Sequence, residues 1–268
     1  LLFRKNLHAG KVKDVHFANG SIQFLSVKLN VYCYVTDGIL IDSGARSLAP
    51  QFQDFFHTQS FDALYCTHIH EDHTGGAAWL QKERNLPIYL NQLSVPEAAA
   101  SGKYPLYRKL FWGTRPPFKA QPFPEKFTSN RYCWETIFTP GHSRDHTAFL
   151  NHSTGQLFSG DLYVSTKTKV VLESESIPQI IESIENILTF DFDEMFCCHA
   201  GYIENGKDKL RQKLHYLYEV TDQVRQLHQK GMTADDIQQL LFPRKYPITV
   251  FSKGQWDSKH IVTSILKK

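Results

Sequence analysis

The chain has 268 residues, is 41% hydrophobic and 13% aromatic, and carries a net charge of +3. That content suits one large domain, or a domain with an appendage, around a sizeable core. The charge is too small to imply nucleic acid by itself, and no run nears the ~18 apolar residues of a membrane helix, so no membrane partner is expected. Five cysteines without matched CxxC pairs point to reduced thiols in a cytoplasmic protein, not to a disulfide framework. The start, Leu1-Leu2-Phe3-Arg4-Lys5-Asn6, lacks the order of a signal peptide.

Strands come first. Ser21 to Val27 partly alternates, Val31 to Val35 is β-branched and aromatic, Asp37-Gly38 is a turn signal, and Ile39-Leu40-Ile41 is a short buried run. Leu48 to Thr58 reads as helix, Phe61 to Thr67 as strand, Ala77 to Arg84 as helix and Pro87 to Leu90 as strand. Residues 94–127 mix prolines and aromatics with Arg108, Lys109, Arg115 and Lys119. They read either as a lid facing substrate or as an insertion packed on the core. Strand character resumes at Tyr132 to Phe138, Thr147 to Leu150 and Gln156 to Ser159; a helix follows from Pro178 to Leu188, and Met195 to Cys198 is the last core strand.

Past Gly206 the pattern turns helical, with an N-cap signal at Thr233 and a final helix from Asp257 to Leu266. This segment holds 12 Lys/Arg against 6 Asp/Glu, a surplus of +6, whereas the preceding part holds 18 against 21, or −3. Such a surplus reads as a solvated helical surface, with a polyanion or a second subunit as the other reading. The division expected is a domain over 1–205 and a helical extension over 206–268.

Chemistry concentrates at Thr67-His68-Ile69-His70-Glu71-Asp72-His73-Thr74-Gly75-Gly76. Imidazole and carboxylate are the ligands that Zn²⁺ and similar metals prefer. A helix would spread this spacing around its axis, so a tight loop is expected. Three later segments repeat one theme, an apolar strand ending in a ligand-type residue beside glycine: Thr139-Pro140-Gly141-His142, Phe158-Ser159-Gly160-Asp161 and Cys198-His199-Ala200-Gly201.

Together with Ile41-Asp42-Ser43-Gly44, these segments resemble, in order, the metallo-β-lactamase superfamily over roughly residues 20 to 205. The resemblance implies an α/β (α+β) fold, an αββα sandwich of two mixed sheets with helices outside, and a helical extension behind it. It implies two divalent metal ions, Zn²⁺ by default with Mn²⁺ or Fe as alternatives: one on His68, His70 and His142, the other on Asp72, His73 and His199, with Asp161 bridging. A carboxylate between two cations offsets their repulsion, and metal binding brings the pKa of water to about 7. The expected reaction is hydrolysis, a bridging hydroxide attacking an electrophilic carbon or phosphorus. Asp72 is the catalytic candidate, as ligand and proton carrier or as ligand alone.

Other residues carry less. His146 reads as a partner of a ligand or as a core histidine, Asp42 as hydrogen-bonded support, and Tyr163 as an oxyanion contact or a packed tyrosine. Lys167 and Lys169 read as anion contacts or a solvated loop, and Cys66, Cys197 and Cys198 as small buried residues.

Within the superfamily, His70 stands where the flavodiiron electron carriers have glutamate. Only the 37 residues 162–198 separate Asp161 from His199, too few for the domain that one nuclease group inserts there. Asp161 stands where drug-hydrolysing zinc enzymes use cysteine. Leu162 to Lys169 departs from the glycine- and arginine-rich stretch of glyoxalase II, and Val164 stands where lactonases place a tyrosine. The reading is a metallo-hydrolase acting on a small-molecule ester, thioester or lactone. The alternatives are a phosphodiesterase or endoribonuclease acting on nucleic acid, whose winged-helix-like tail the basic extension resembles, and a mononuclear iron dioxygenase or a non-catalytic metal-binding module.

Overall fold

A computed structural model describes residues 3–267. The first sheet orders its strands as they occur in the chain: β1 (Arg4–Val12), β2 (Val15–Phe24), β3 (Val27–Thr36), β4 (Ile39–Ile41), β5 (Ala63–Tyr65), β6 (Ile88–Leu90) and β7 (Gln121–Pro122). β1 to β4 pair antiparallel; β4 to β7 pair parallel. The connections carry α1 (Ala49–His57), the short α2 (Glu71–Thr74), α3 (Ala77–Arg84), α4 (Val95–Ala98) and α5 (Leu106–Phe111).

The second sheet uses β8 (Lys126–Thr128), β9 (Cys133–Phe138), β10 (Thr147–Asn151) and β11 (Gln156–Gly160). After β12 (Val171–Leu172) and α6 (Ile177–Leu188) it adds β13 (Glu194–Cys197) and β14 (Gly201–Ile203) beside β11. The chain closes with α7 (Gly206–Gln229), α8 (Ala234–Leu241), α9 (Pro247–Phe251), β15 (Trp256–Asp257), which pairs with β12, and α10 (Lys259–Leu266).

Period-two alternation makes this a four-layer sandwich. On β3, Val31, Cys33 and Val35 face the helical layer that includes Phe52, Phe56 and Leu80, whereas Tyr34 faces the other sheet. On β10, Ala148 and Leu150 face α6 and α7, and Phe149 points inward. Between the sheets lies an aromatic layer of Tyr34, Tyr65, Phe127, Trp134, Phe149, Phe158 and Phe196. The αββα expectation is met.

The N-terminal strands differ from the expectation. Ser21 to Val27 is not one strand: it straddles the β2–β3 turn, where Leu25 takes φ +52. Neither Gly nor Pro marks that turn, and β1, exposed along much of its length, has no strong apolar alternation. The tail is helical as expected, and its first helix, α7, is a single 24-residue element. Leu210, Leu217 and Val224 of α7, Ile237 of α8, and Ile261, Val262 and Ile265 of α10 share one buried cluster with the second sheet and α6. Each such side chain contributes roughly 1.5–3 kcal/mol on burial. Ile248 and Phe251 of α9 pack instead on the first sheet's outer cluster. Thr233 caps α8 in a capping box with Asp236, as its sequence implies. All five cysteines are free, and Cys133 is exposed. Among the described residues no helix is long and apolar enough to cross a membrane.

Candidate metal centre

Strand direction brings distant residues to one edge of the sandwich. β4 and β5 are parallel neighbours, so Asp42 and the Thr67–His70 segment leave the first sheet on the same side. β9 and β11 both run antiparallel to β10, and β13 runs parallel to β11. Their C-terminal ends therefore deliver His142, Asp161 and His199 together. The expected loop holds for His68 and His70. Asp72 and His73 instead lie on the helical turn α2, closed by the amides of His73 and Thr74 donating to the His70 carbonyl at 3.1 and 3.0 Å.

All seven ligand candidates converge. His68 Nε2 lies 3.0 Å from His70 Nδ1, and His142 Nε2 lies 3.2 Å from that same atom. Asp161 Oδ2 is 2.9 Å from His199 Nε2, 3.3 Å from His142 Nε2 and 3.5 Å from His73 Nε2. Asp72 Oδ2 is 3.7 Å from both His73 Nε2 and His199 Nε2. The trios His68/His70/His142 and Asp72/His73/His199 each gather their ligand atoms within 4.8 Å, and Asp161 joins His68 and His73 in a third such group.

The outer nitrogens explain which way the rings face. Thr67 donates its hydroxyl proton to Asp42 (2.8 Å), so it accepts from His68 Nδ1 (3.0 Å) and leaves His68 Nε2 free to face inward. His73 Nδ1 donates to Asp42 Oδ2 (2.8 Å), His142 Nδ1 to Glu175 Oε2 (3.2 Å) and His199 Nδ1 to the Asn30 carbonyl (2.5 Å). Such outer partners fix tautomer and ring orientation at metal sites. Asp42, with backbone φ +57, also accepts from the Thr67 amide and the Cys198 thiol. Asp42, His73 and Cys198 form a ligand-type group as well. Burial pushes the Cys198 thiol well up, and Asp42 is saturated with donors, so this trio is a support.

The electrostatics describe a site that needs positive charge. Burial, with neighbouring imidazoles and Arg108, holds His68 and His70 far below the usual histidine range. Burial also opposes the charged forms of His73, His142 and His199, but carboxylates outweigh it: Asp161, Asp72 and Asp42 at His73, Glu175 and Asp161 at His142, and Asp161 and Asp72 at His199, raised to about 9. Burial would raise Asp161, yet His199, His73 and His142 hold it well below the carboxylate range. The buried atoms His73 Nε2 and Asp161 Oδ1 have no hydrogen-bond partner. Orphaned buried polar atoms are costly. A donor set of inward imidazole nitrogens and carboxylates with such orphans fits divalent cations.

His146 supports the centre: its Nε2 accepts the Asp161 amide (2.9 Å) and its Nδ1 bonds to Thr139. Burial and His142 push it down to about 3, so it is neutral. Gly160 sits against this ring at φ +50, where an added Cβ would come 2.5 Å from His146 Nε2. Tyr163 does not join the site; it lies in the apolar cluster with its hydroxyl on Thr166. Lys169 lines the adjoining pocket, and Lys167 does not.

Several residues had no sequence signal. Asp145 is fully buried and accepts from the Ile69 amide (2.8 Å) inside the histidine motif. Glu71, also fully buried, takes both nitrogens of a fork from Arg108 at 2.6 Å. Lys213 on α7 donates to the carbonyls of Leu162 and Tyr163, just after Asp161, at 2.8 and 2.6 Å. Burial lowers its pKa to about 8, against the pull of Glu175, Cys197 and Asp161. Both readings of residues 94–127 hold in part: Tyr107, Arg108 and Trp112 line the pocket, while Phe118 packs in the core and buried Arg115 donates to backbone carbonyls.

The pocket beside the centre has a volume of about 410 Å³. His70, Asp72, His142, Asp161 and His199 form its floor. Its apolar walls come from α5, the segment after β11, and the C-terminal Ile248 and Trp256.

A family model of the metallo-beta-lactamase superfamily matches residues 28–199. Among curated proteins the chain is 24% identical to a beta-lactamase-like protein 2 homolog of Drosophila melanogaster over 86% of this chain and 78% of that one. It is 26% identical to an atrochrysone carboxyl ACP thioesterase of Aspergillus fumigatus over 73% of this chain and 57% of that one. It spans only 37% of a lactamase-like protein of Arthroderma benhamiae. A metallo-beta-lactamase family protein of Thermus thermophilus shares the fold with a TM-score of 0.69 at 17% identity, covering 94% of this chain and 92% of that one. With the model matching well over half of the sequence and the sandwich reproduced in a solved relative, the chain belongs to the metallo-beta-lactamase superfamily.

Proposed function

We propose that this chain is a dinuclear metal-dependent hydrolase that cleaves a carboxylic ester, thioester or lactone of a small molecule. The observation that carries the reading is the convergence of seven ligand-type side chains, five of them on the floor of an apolar pocket, with the rings of His68, His73, His142 and His199 held from outside. His68, His70 and His142 would hold one cation and Asp72, His73 and His199 the other, with Asp161 between them; zinc is the proposed metal. When bound, the cations supply Lewis acidity and make water nucleophilic near neutral pH.

The protein's own groups do the remaining work. Asp42, Thr67, Glu175 and Asn30 keep the imidazoles aimed inward. Asp72 lies on the pocket floor, where its carboxylate orients the attacking water and takes its proton. The apolar walls exclude bulk water from the reacting carbonyl.

An acyl substrate is favoured by the shape. A concave, mainly apolar pocket of this size suits a compact organic group and not a polymer track. The thioesterase relative points the same way. The basic tail supports the phosphodiester alternative less than its count implies: Lys213 is buried, Arg211 pairs with Asp208, and Lys259 pairs with Asp235. We read residues 206–268 as an extension that completes the pocket.

The test is a panel of aryl esters, thioesters, lactones and a bis-aryl phosphate, run with metal-quantified protein and with His70→Ala as the blank. Acyl hydrolysis that disappears in the blank is expected. Turnover of the phosphate alone, or equal turnover in the blank, overturns the proposal.

A further inference from the structure

The charged groups facing the pocket can be counted off by what they already hold. Asp72 and Asp161 belong to the metal centre, and Glu175 holds His142. Arg108 is bound through both nitrogens to Glu71, and Lys213 to two carbonyls. Two charged groups remain, Lys28 and Lys169, both exposed at the mouth. Lys28 comes from β3 of the first sheet, Lys169 from the segment after β11 of the second, and neither has a carboxylate partner among the described residues. Deeper in, the uncommitted surface is largely apolar: Leu29, Trp112, Leu172, Ile180, Ile248 and Trp256. Val164 extends it. This β-branched residue lines the pocket with 42% of its surface exposed and takes φ +51, a conformation β-branched side chains avoid.

A binding site with one apolar interior and two free cations at its rim recognises one kind of molecule. We infer that the substrate is an amphipathic anion, an acyl ester or thioester whose apolar acyl part fills the pocket and whose leaving group carries a negative charge between Lys28 and Lys169. The inference rests on the acyl-hydrolase reading above. It adds what that reading leaves open: uncharged esters and lactones fit the interior but leave the rim unpaired. The charge itself can be a carboxylate near the scissile bond or a phosphate farther out, since both lysines bind either as point charges. Hydrolysis places the acyl group on water's oxygen and returns the proton to the departing thiol or alcohol, so no further reactant is required.

The experiment compares matched pairs on the metal-loaded full chain. Octanoyl-pantetheine against octanoyl-pantetheine phosphate isolates a phosphate; octanoyl thioesters of N-acetylcysteamine and of mercaptopropionate isolate a carboxylate. The expected result is kcat/KM about fivefold higher for at least one charged member, two exposed ion contacts being worth that much. The pair that shows it identifies the source of the charge. The ratio should fall towards one in Lys28→Ala/Lys169→Ala, and likewise for the unaltered chain in 0.5–1 M salt, roughly, where surface charges are screened. An acetyl series should be turned over less efficiently than the octanoyl series. Ratios near one in both pairs, or a preference that survives the double substitution, overturn the inference while the acyl-hydrolase reading stands. Failure to hydrolyse any of the four thioesters, or their acetyl counterparts, overturns the inference, and overturns the acyl-hydrolase reading as well when the aryl esters and lactones of the panel above are also left intact.

Discussion

Arg108→Met tests how the 94–127 segment is tied to the metal-binding turn. Glu71 follows His70 and precedes Asp72, and it is fully buried. Its carboxylate is held through two 2.6 Å bonds by Arg108, whose side chain is 16% exposed. Burial raises the Glu71 pKa, and Arg108 is the main group that opposes this. Removing the guanidinium strands a buried charge, which costs about 3–5 kcal/mol. For a chain of this size that lowers Tm by roughly 10 °C. Glu71→Met/Arg108→Met should recover most of the loss, because an apolar pair of similar volume replaces a buried ion pair at little net cost.

The pH dependence has a definite sign. Without Arg108, Glu71 titrates higher in the folded chain than in the unfolded one. Its burial is then tolerated in acid and penalised as pH rises through the folded value. The deficit of Arg108→Met should therefore be smaller at pH 5 than at pH 8. Urea melts of the four-member cycle at both values measure the free-energy differences, and thermal melts measure the shift in Tm. A deficit below about 1 kcal/mol, or a double variant that simply sums the singles, refutes the reasoning.

Three further outcomes follow from the site. Glu175→Gln weakens the bond that orients His142 and should lower metal affinity about 10- to 100-fold, as outer partners of metal ligands do; competition with a chromophoric chelator measures it, and unchanged affinity counts against the assignment. Lys213→Met leaves the Leu162 and Tyr163 carbonyls without their donor and should loosen the segment carrying Asp161, visible as faster amide exchange over 161–164 and weaker metal binding; protection equal to the parent's contradicts it. In the metal-free chain His199, raised to about 9, keeps its proton at pH 7. Metal binding should therefore release protons and tighten as pH rises towards 9. Its contribution to apo stability is full below the ordinary value of 6.5 and lost as pH passes about 9. Calorimetry in buffers of different ionisation enthalpy reads the released proton, and buffer-independent heats would argue against it.

The candidate ligand set was legible in the sequence through the family resemblance that its segments carry; of its members, His142, Asp161 and His199 each follow a strand and have a glycine within two residues. His142 follows Pro140-Gly141, and Asp161 follows Gly160, whose positive φ seats it against His146. Local pattern also gave α1, α3, α6 and the Thr233 cap, where propensity and burial agree. It did not give the β2–β3 turn at Leu25, which no turn residue marks.

Tertiary structure alone decided what stands behind and above the ligands. Glu175, Asp145, Asn30 and Lys213 reach the site from segments with no metal-like spacing, so only strand order could place them. The same holds for the pocket, whose walls unite α5, the segment after β11, Ile248 and Trp256. A chain's sequence records which residues bind chemistry and which seek burial. Which of them meet depends on long-range pairing such as β12 with β15, and that is fixed only when the whole sandwich closes.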